Sequence, residues 1–267
     1  MRGKILKVKC GKLLSWKVKK IEVKLKDNER IDDLEFKGLK IIQNKDGFCF
    51  GMDSVLISDF SKTIKNDSIV ADLGTGTGII SVLLSGKTKL KKIYGIEVQT
   101  EVAEMAKRSI ELNNLEEKIE IINDNLKNLG KYFKKESLDA IVTNPPYQKN
   151  DTGLKSEDKR HLISRHEIEC TLEDIINISK MYLKDKGEMY IVHRPERLVD
   201  ILYLLRSYKI EPKEIRFVNP KADQKPNMVL IKAVKNGKEF LKVKEPLIVY
   251  NEDGTYTEEI LKIYGKI

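Results

Sequence analysis

From residue 68 onward, short runs of consecutive apolar residues alternate with longer stretches in which apolar residues recur every three or four positions. The runs at 68–73, 92–97, 119–123, 138–143 and 188–193 are too short for helices and lack polar alternation, which predicts strands buried on both faces. Between and after them, 79–84, 102–113, 172–183 and 195–207 have helical spacing, as in Val102, Met105, Ala106 and Ile110. Two more strands, 215–219 and 228–234, follow each other with no helix between, which predicts an antiparallel hairpin at one edge. The pattern implies an α/β protein: a mainly parallel seven-stranded sheet with helices on both faces.

The flanks are less regular. Residues 39–42 read as a strand, Lys45-Asp46-Gly47 as a hairpin turn and Phe48-Cys49-Phe50 as the returning strand. Residues 53–64 have helical spacing through Val55, Leu56, Phe60 and Ile64. Near the C-terminus, 247–250 predicts a strand, 251–254 a turn, and Thr257 the cap of a last helix.

Composition adds bounds. A chain of 267 residues with 40% apolar content can bury a substantial core. No apolar run reaches the roughly 18 residues needed to span a bilayer, and the N-terminus lacks a signal peptide's apolar block. A cytoplasmic protein with no membrane partner is expected. Cys10, Cys49 and Cys170 are odd in number and far apart, which fits reduced thiols. His161, His166 and His193 have no metal-ligand spacing, so no metal is expected.

Charge changes the picture more. Of the net +9, all is contributed by residues 1–26, where ten Lys or Arg face Glu22 alone. Such an arm suggests a phosphate backbone as partner; a solvated lysine-rich tail is the other reading. Ile21, Val23 and Leu25 alternate with charges, as in a short strand.

Candidate chemistry gathers at the ends of the predicted strands. In "VADLGTGTGIIS", Gly74, Gly76 and Gly78 form a strand-to-helix turn that a ligand can approach closely. Asp72 before the first glycine suits a cationic amino-acid moiety better than a pyrophosphate. The next strand ends in "YGIEV", where Glu97 stands where an acid accepts from both ribose hydroxyls, or serves as a helix N-terminal charge. The third ends in "IINDNL", where Asp124, or else Asn123 or Asn125, offers a polar contact to an adenine amino group. The fourth ends in "NPPYQK". Asn144 and the Pro145 carbonyl can accept both protons of a planar –NH2 group, Pro145 and Pro146 stiffen the turn, and Tyr147 offers a stacking face. A rigid turn with a packed tyrosine is the alternative.

"DLGTGTG", "GIEV" and "NPPY", in that order and spacing, resemble the class I S-adenosylmethionine-dependent methyltransferases that modify amino groups. "DDLEFKGLKIIQNKDGFCFGMDSVLISDF", "SRHE", "VHRPERL" and "IEPKEIRFVNP" narrow the likeness to the bacterial methyltransferases that make N6-methyladenosine at position 37 of a valine tRNA. The resemblance runs from about residue 31 to the C-terminus and does not cover the basic arm. It implies a Rossmann-like class I methyltransferase fold, S-adenosyl-L-methionine as cofactor and tRNA as partner. Asp72, Gly74, Thr75, Gly76 and Gly78 would line its methionine part, Glu97 and Val98 its ribose, and Asp124 and Asn125 its adenine. The segment closing over the cofactor would bring Phe50, Gly51 and Asp53. Asn144, Pro145, Pro146 and Tyr147 would hold the target adenine.

The implied domain plan is a basic extension over 1–30 and a methyltransferase domain over 31–267. The latter divides into a covering segment (31–67), the core (68–240) and a C-terminal strand and helix (241–267). The polar stretch after the proline turn carries Lys149, Arg160 and Arg165 as phosphate contacts, unless it is a plain surface loop. A glutamine side chain of a translation factor, a DNA adenine, an rRNA base, or nucleic-acid binding without catalysis are the alternative functions.

Overall fold

The computed structural model describes residues 23–45, 51–145 and 170–267. The central strands are β3 (Ile69–Leu73), β4 (Lys92–Ile96), β5 (Ile119–Ile122), β6 (Leu138–Thr143), β7 (Leu183–His193), β8 (Ile210–Asn219) and β9 (Met228–Lys235). All seven predicted strands are present. They lie in the order β8-β9-β7-β6-β3-β4-β5, with β9 antiparallel to both neighbours and the rest parallel. Two two-residue strands, β10 (Lys242–Val243) and β11 (Leu247–Ile248), extend the β8 edge to make nine.

Side chains alternate across the buried strands, as the pleat requires. Val70, Ala140, Val142, Tyr190 and Val192 face one core, built with α1 (Met52–Phe60), α2 (Ile79–Lys87) and α3 (Thr100–Leu112). Ala71, Leu73, Ile141, Met189 and Ile191 face the other, built with α4 (Leu172–Tyr182) and α5 (Leu198–Ser207). A last helix, α6 (Glu258–Ile263), is capped by Thr257, whose Oγ1 accepts from Ile260 N. The predicted helix over 195–207 begins instead as a 3-10 turn, Pro195–Arg197.

The N-terminal region differs from the sequence reading. β2 (Lys40–Asn44) pairs antiparallel with the preceding β1 (Glu29–Asp33), a strand the pattern did not predict. The expected return strand at 48–50 lies outside the described residues, and Val23 and Leu25 are not in a strand. The hairpin is docked on α3. Lys40 N donates to Asn113 Oδ1 at 2.9 Å and Asn113 Nδ2 donates to Lys40 O at 2.6 Å. Ile42 N donates to Ser109 Oγ at 2.9 Å, and Arg108 donates twice to Glu29, both at 2.6 Å.

Candidate active site

Strand register decides which loops meet. Leu73 of β3 lies opposite Thr143 of β6 and Ile96 of β4, and Ile96 lies opposite Ile122 of β5. The next residues outward, Gly74, Asn144, Glu97 and Asn123, therefore emerge side by side from one carboxyl edge of the sheet. This is where ligands of open α/β sheets bind.

The glycine turn is pinned from below: Gly74 N and Thr75 N both donate to Ile96 O at 3.0 Å. Gly74 and Gly76 have φ of +73° and +57°, conformations that L side chains rarely adopt. Among the described residues, nothing beyond the adjoining turn residues lies within 4 Å of where a Cβ would stand on either, so the turn presents bare backbone there. Glu97 braces it, accepting from Gly76 N at 3.1 Å through Oε2 and from Gln99 N at 2.9 Å through Oε1. Gln99 is the N-cap of α3, so Glu97 stands at that helix's N-terminus as well as under the glycine turn. Each carboxylate oxygen retains acceptor capacity for a ribose hydroxyl.

Asp72 lies beneath the turn, fully buried. Its Oδ2 accepts from Thr75 Oγ1 at 2.6 Å and Ser81 Oγ at 2.9 Å. Burial drives its pKa up to about 6, against those two hydrogen bonds, with the Glu97 charge pushing the same way as burial. Its Oδ1 has no hydrogen-bond partner among the described residues. An ammonium group is the donor such an acceptor lacks. Ser81 was not foreseen; its only signal is a hydroxyl inside the apolar run "GIISVLL".

Around β5 the arrangement differs from the sequence reading. Asp124 accepts from Asn125 N and Asn128 Nδ2 through Oδ1, and from Lys131 Nζ and Tyr132 OH through Oδ2. Those hydrogen bonds, from Asn128 first, hold its pKa well below the usual carboxylate range. Four donors fill the four lone-pair positions of a carboxylate, so an adenine amine must displace one of them. Asn125 caps the 3-10 turn Leu126–Lys131 by accepting from Lys127 N at 2.9 Å. Asn123 Nδ2 donates to the carbonyls of Glu97 and Val98, which ties the end of β5 to the end of β4; the Val98 side chain is exposed.

Asn144 is half-buried and Pro145 buried. Asn144 Nδ2 donates to Asp53 Oδ2 at 3.0 Å, joining the proline turn to the start of α1. Phe50, Pro146, Tyr147, Lys149, Arg160 and Arg165 lie outside the described residues. His193 is buried at the end of β7, accepting from Arg194 N through Nδ1 at 2.8 Å. Burial first, and the Arg197 charge next, push its pKa down to about 4. Among the described residues no cluster of His, Cys, Asp and Glu could hold a metal, and no helix is long and apolar enough to cross a membrane.

The bare glycine turn, the orphaned Asp72 oxygen and the braced Glu97 fit the cationic and ribose parts of S-adenosylmethionine. Fold and edge together define a class I methyltransferase. A family model described as the methyltransferase small domain matches residues 51–203. Curated relatives include the tRNA1(Val) (adenine(37)-N6)-methyltransferases of Porphyromonas gingivalis, 24% identical over 239 residues (87% of this chain, 93% of the relative), and Parabacteroides distasonis, 26% identical over 199 residues (74% and 81%). Similar solved structures include a predicted O-methyltransferase from Agrobacterium tumefaciens, with TM-score 0.64 at 20% identity over 80% of this chain and 96% of that one. M. jannaschii TYW2 in complex with AdoMet matches with TM-score 0.54 at 16% identity over 80% and 89%. The chain belongs to the methyltransferase small domain family, and its methyl donor is S-adenosylmethionine.

Proposed function

We propose that the chain methylates the N6 amine of an adenosine in tRNA, at position 37 of a valine tRNA. The observation that carries this reading is the pairing of Leu73 with Thr143, which sets the glycine turn beside Asn144. The names of the curated relatives support the choice of tRNA.

When bound, S-adenosylmethionine supplies a methyl group already activated on a sulfonium, so the protein's task is alignment and exclusion of water. An adenine amine is a weak nucleophile because its lone pair is delocalised into the ring. Asn144 Oδ1 and the Pro145 carbonyl, accepting its two protons, localise that lone pair toward the glycine turn. Alignment of this kind can be worth roughly 7–11 kcal/mol of barrier. The nitrogen becomes acidic as it is alkylated, so its proton passes to water without a dedicated base. Tyr147 stacks on the base, and an anticodon-loop adenosine is already unpaired. Lys149, Arg160 and Arg165 bind phosphates, and the basic residues 1–26 extend from the methyltransferase domain, whose folded part begins before residue 31 with β1. A tRNA substrate places the protein in the cytoplasm.

Transfer of tritiated methyl to total tRNA, rRNA, DNA and protein, followed by nucleoside analysis, tests this. N6-methyladenosine in tRNA alone is expected, and Asn144→Ala should abolish it while leaving cofactor binding intact. Label confined to protein overturns the reading.

A further inference from the structure

An asparagine amide has two unlike ends of nearly the same shape: an oxygen that accepts and a nitrogen that donates. For Asn144 to receive a proton of the target amine, its oxygen must face the substrate. Turned by half a rotation, the amide would aim donors at a donor. Something must therefore break the symmetry of the side chain.

The structure supplies it. Asn144 Nδ2 donates to Asp53 Oδ2 at 3.0 Å, across 91 positions of sequence. A carboxylate only accepts, so it holds the nitrogen end of the amide and rejects the oxygen end. We propose that Asp53 is a positioning residue that fixes the amide orientation of Asn144 and so aims its oxygen at the methyl-accepting amine. The inference rests on the reading of Asn144 as the acceptor of the amine proton.

Asp53 is itself held. Its Oδ1 accepts from Ser54 N at 2.9 Å, in the first turn of α1, where the helix favours an anion. Gly51, the N-cap of that helix, makes room for the carboxylate: a Cβ on Gly51 would lie 2.7 Å from Asp53 Oδ1. The Gly51 backbone, at φ −99° and ψ 176°, suits any residue, so space alone demands glycine. Gly51→Ala is thus expected to push the carboxylate aside without removing a polar group or unfolding the chain.

The likeness to known methyltransferases gave Asp53 the task of covering the cofactor, and the two roles separate kinetically. If Asp53 aims Asn144, Asp53→Ala lowers kcat about a hundredfold, the usual penalty of a misplaced reacting group, with cofactor affinity by calorimetry unchanged. Asp53→Asn, which can still offer an oxygen to Asn144, retains part of the rate, and Gly51→Ala falls in the same direction as Asp53→Ala. The side-chain 15N–1H resonances of Asn144, assigned by their loss in Asn144→Asp, shift in Asp53→Ala and Gly51→Ala with no nucleic acid present. Unmoved resonances, or weakened cofactor binding with kcat intact, overturn the proposal. Shifted resonances in a protein that methylates no tRNA would sink the tRNA assignment and leave the orienting role standing.

Discussion

The Thr143 hydroxyl donates to the carbonyl oxygen of Leu73 across 2.9 Å, tying together the last residues of two adjacent parallel strands. Both residues are buried. The bond locks the relative height of the two turns that begin one residue further on, at Gly74 and at Asn144. Thr143→Val keeps the shape and removes the donor. It should destabilise the fold by about 1 kcal/mol in denaturant titration, the net worth of one hydrogen bond. The loss in kcat should exceed that in free-energy terms, because Gly74 and Asn144 are no longer held in step.

Gly74 combines a positive φ with a Cβ position clear of the other described residues, so two distinct penalties meet in Gly74→Ala. The left-handed backbone costs an alanine about 1–2 kcal/mol, which denaturation will register. The new methyl group also stands where a ligand would approach the turn. Loss of S-adenosylmethionine binding by calorimetry, in a protein that still folds, is the expected outcome.

Two buried groups give opposed responses to acid. Asp72 titrates near 6 in the fold against an ordinary 3.8, so the folded state keeps a proton that the unfolded chain has released, and stability falls as pH rises between those values. His193 titrates near 4 against an ordinary 6.5; its contribution is present above 6.5 and is lost as pH falls toward 4. Each is worth on the order of 3 kcal/mol, so they largely cancel. Asp72→Asn should expose the histidine's acid sensitivity, and His193→Gln should leave a protein that gains stability on mild acidification. Denaturation midpoints across this pH range will read both.

Arg108 grips Glu29 with two hydrogen bonds, and the Glu29 side chain is 3% exposed. Burial would raise the Glu29 pKa, but the Arg108 hydrogen bonds and the Lys26 backbone amide outweigh it and hold the group below its usual range. Arg108→Leu strands that carboxylate in the protein interior, and a loss of about 3 kcal/mol is expected. Chemical denaturation measures it. The wild-type contribution should disappear on acidification through the lowered Glu29 pKa.

The central sheet was legible because its strands are continuous apolar runs and its helices keep strict periodicity. The glycine turn and Glu97 were legible because their place at strand ends follows from that pattern. β1 was not, since "ERIDD" is mostly charged and its one buried residue, Glu29, is held by the Arg108 bridge. β2 pairs backward with it over Lys40–Asn44, and the forward hairpin expected through Lys45-Asp46-Gly47 runs outside the described residues. The full occupancy of Asp124 was hidden too: Asn128, Lys131 and Tyr132 reach it from a 3-10 turn with no periodic signal. The contact between Asp53 and Asn144 joins two segments that nothing in the sequence links.

Glu97 is already fastened to the glycine turn and to the cap of the following helix. The conformational freedom of this acid was surrendered when the chain folded, so its carboxylate stands ready at the strand edge. A hydrogen-bond donor entering this corner meets an acceptor already ordered, with little side-chain entropy left to lose there.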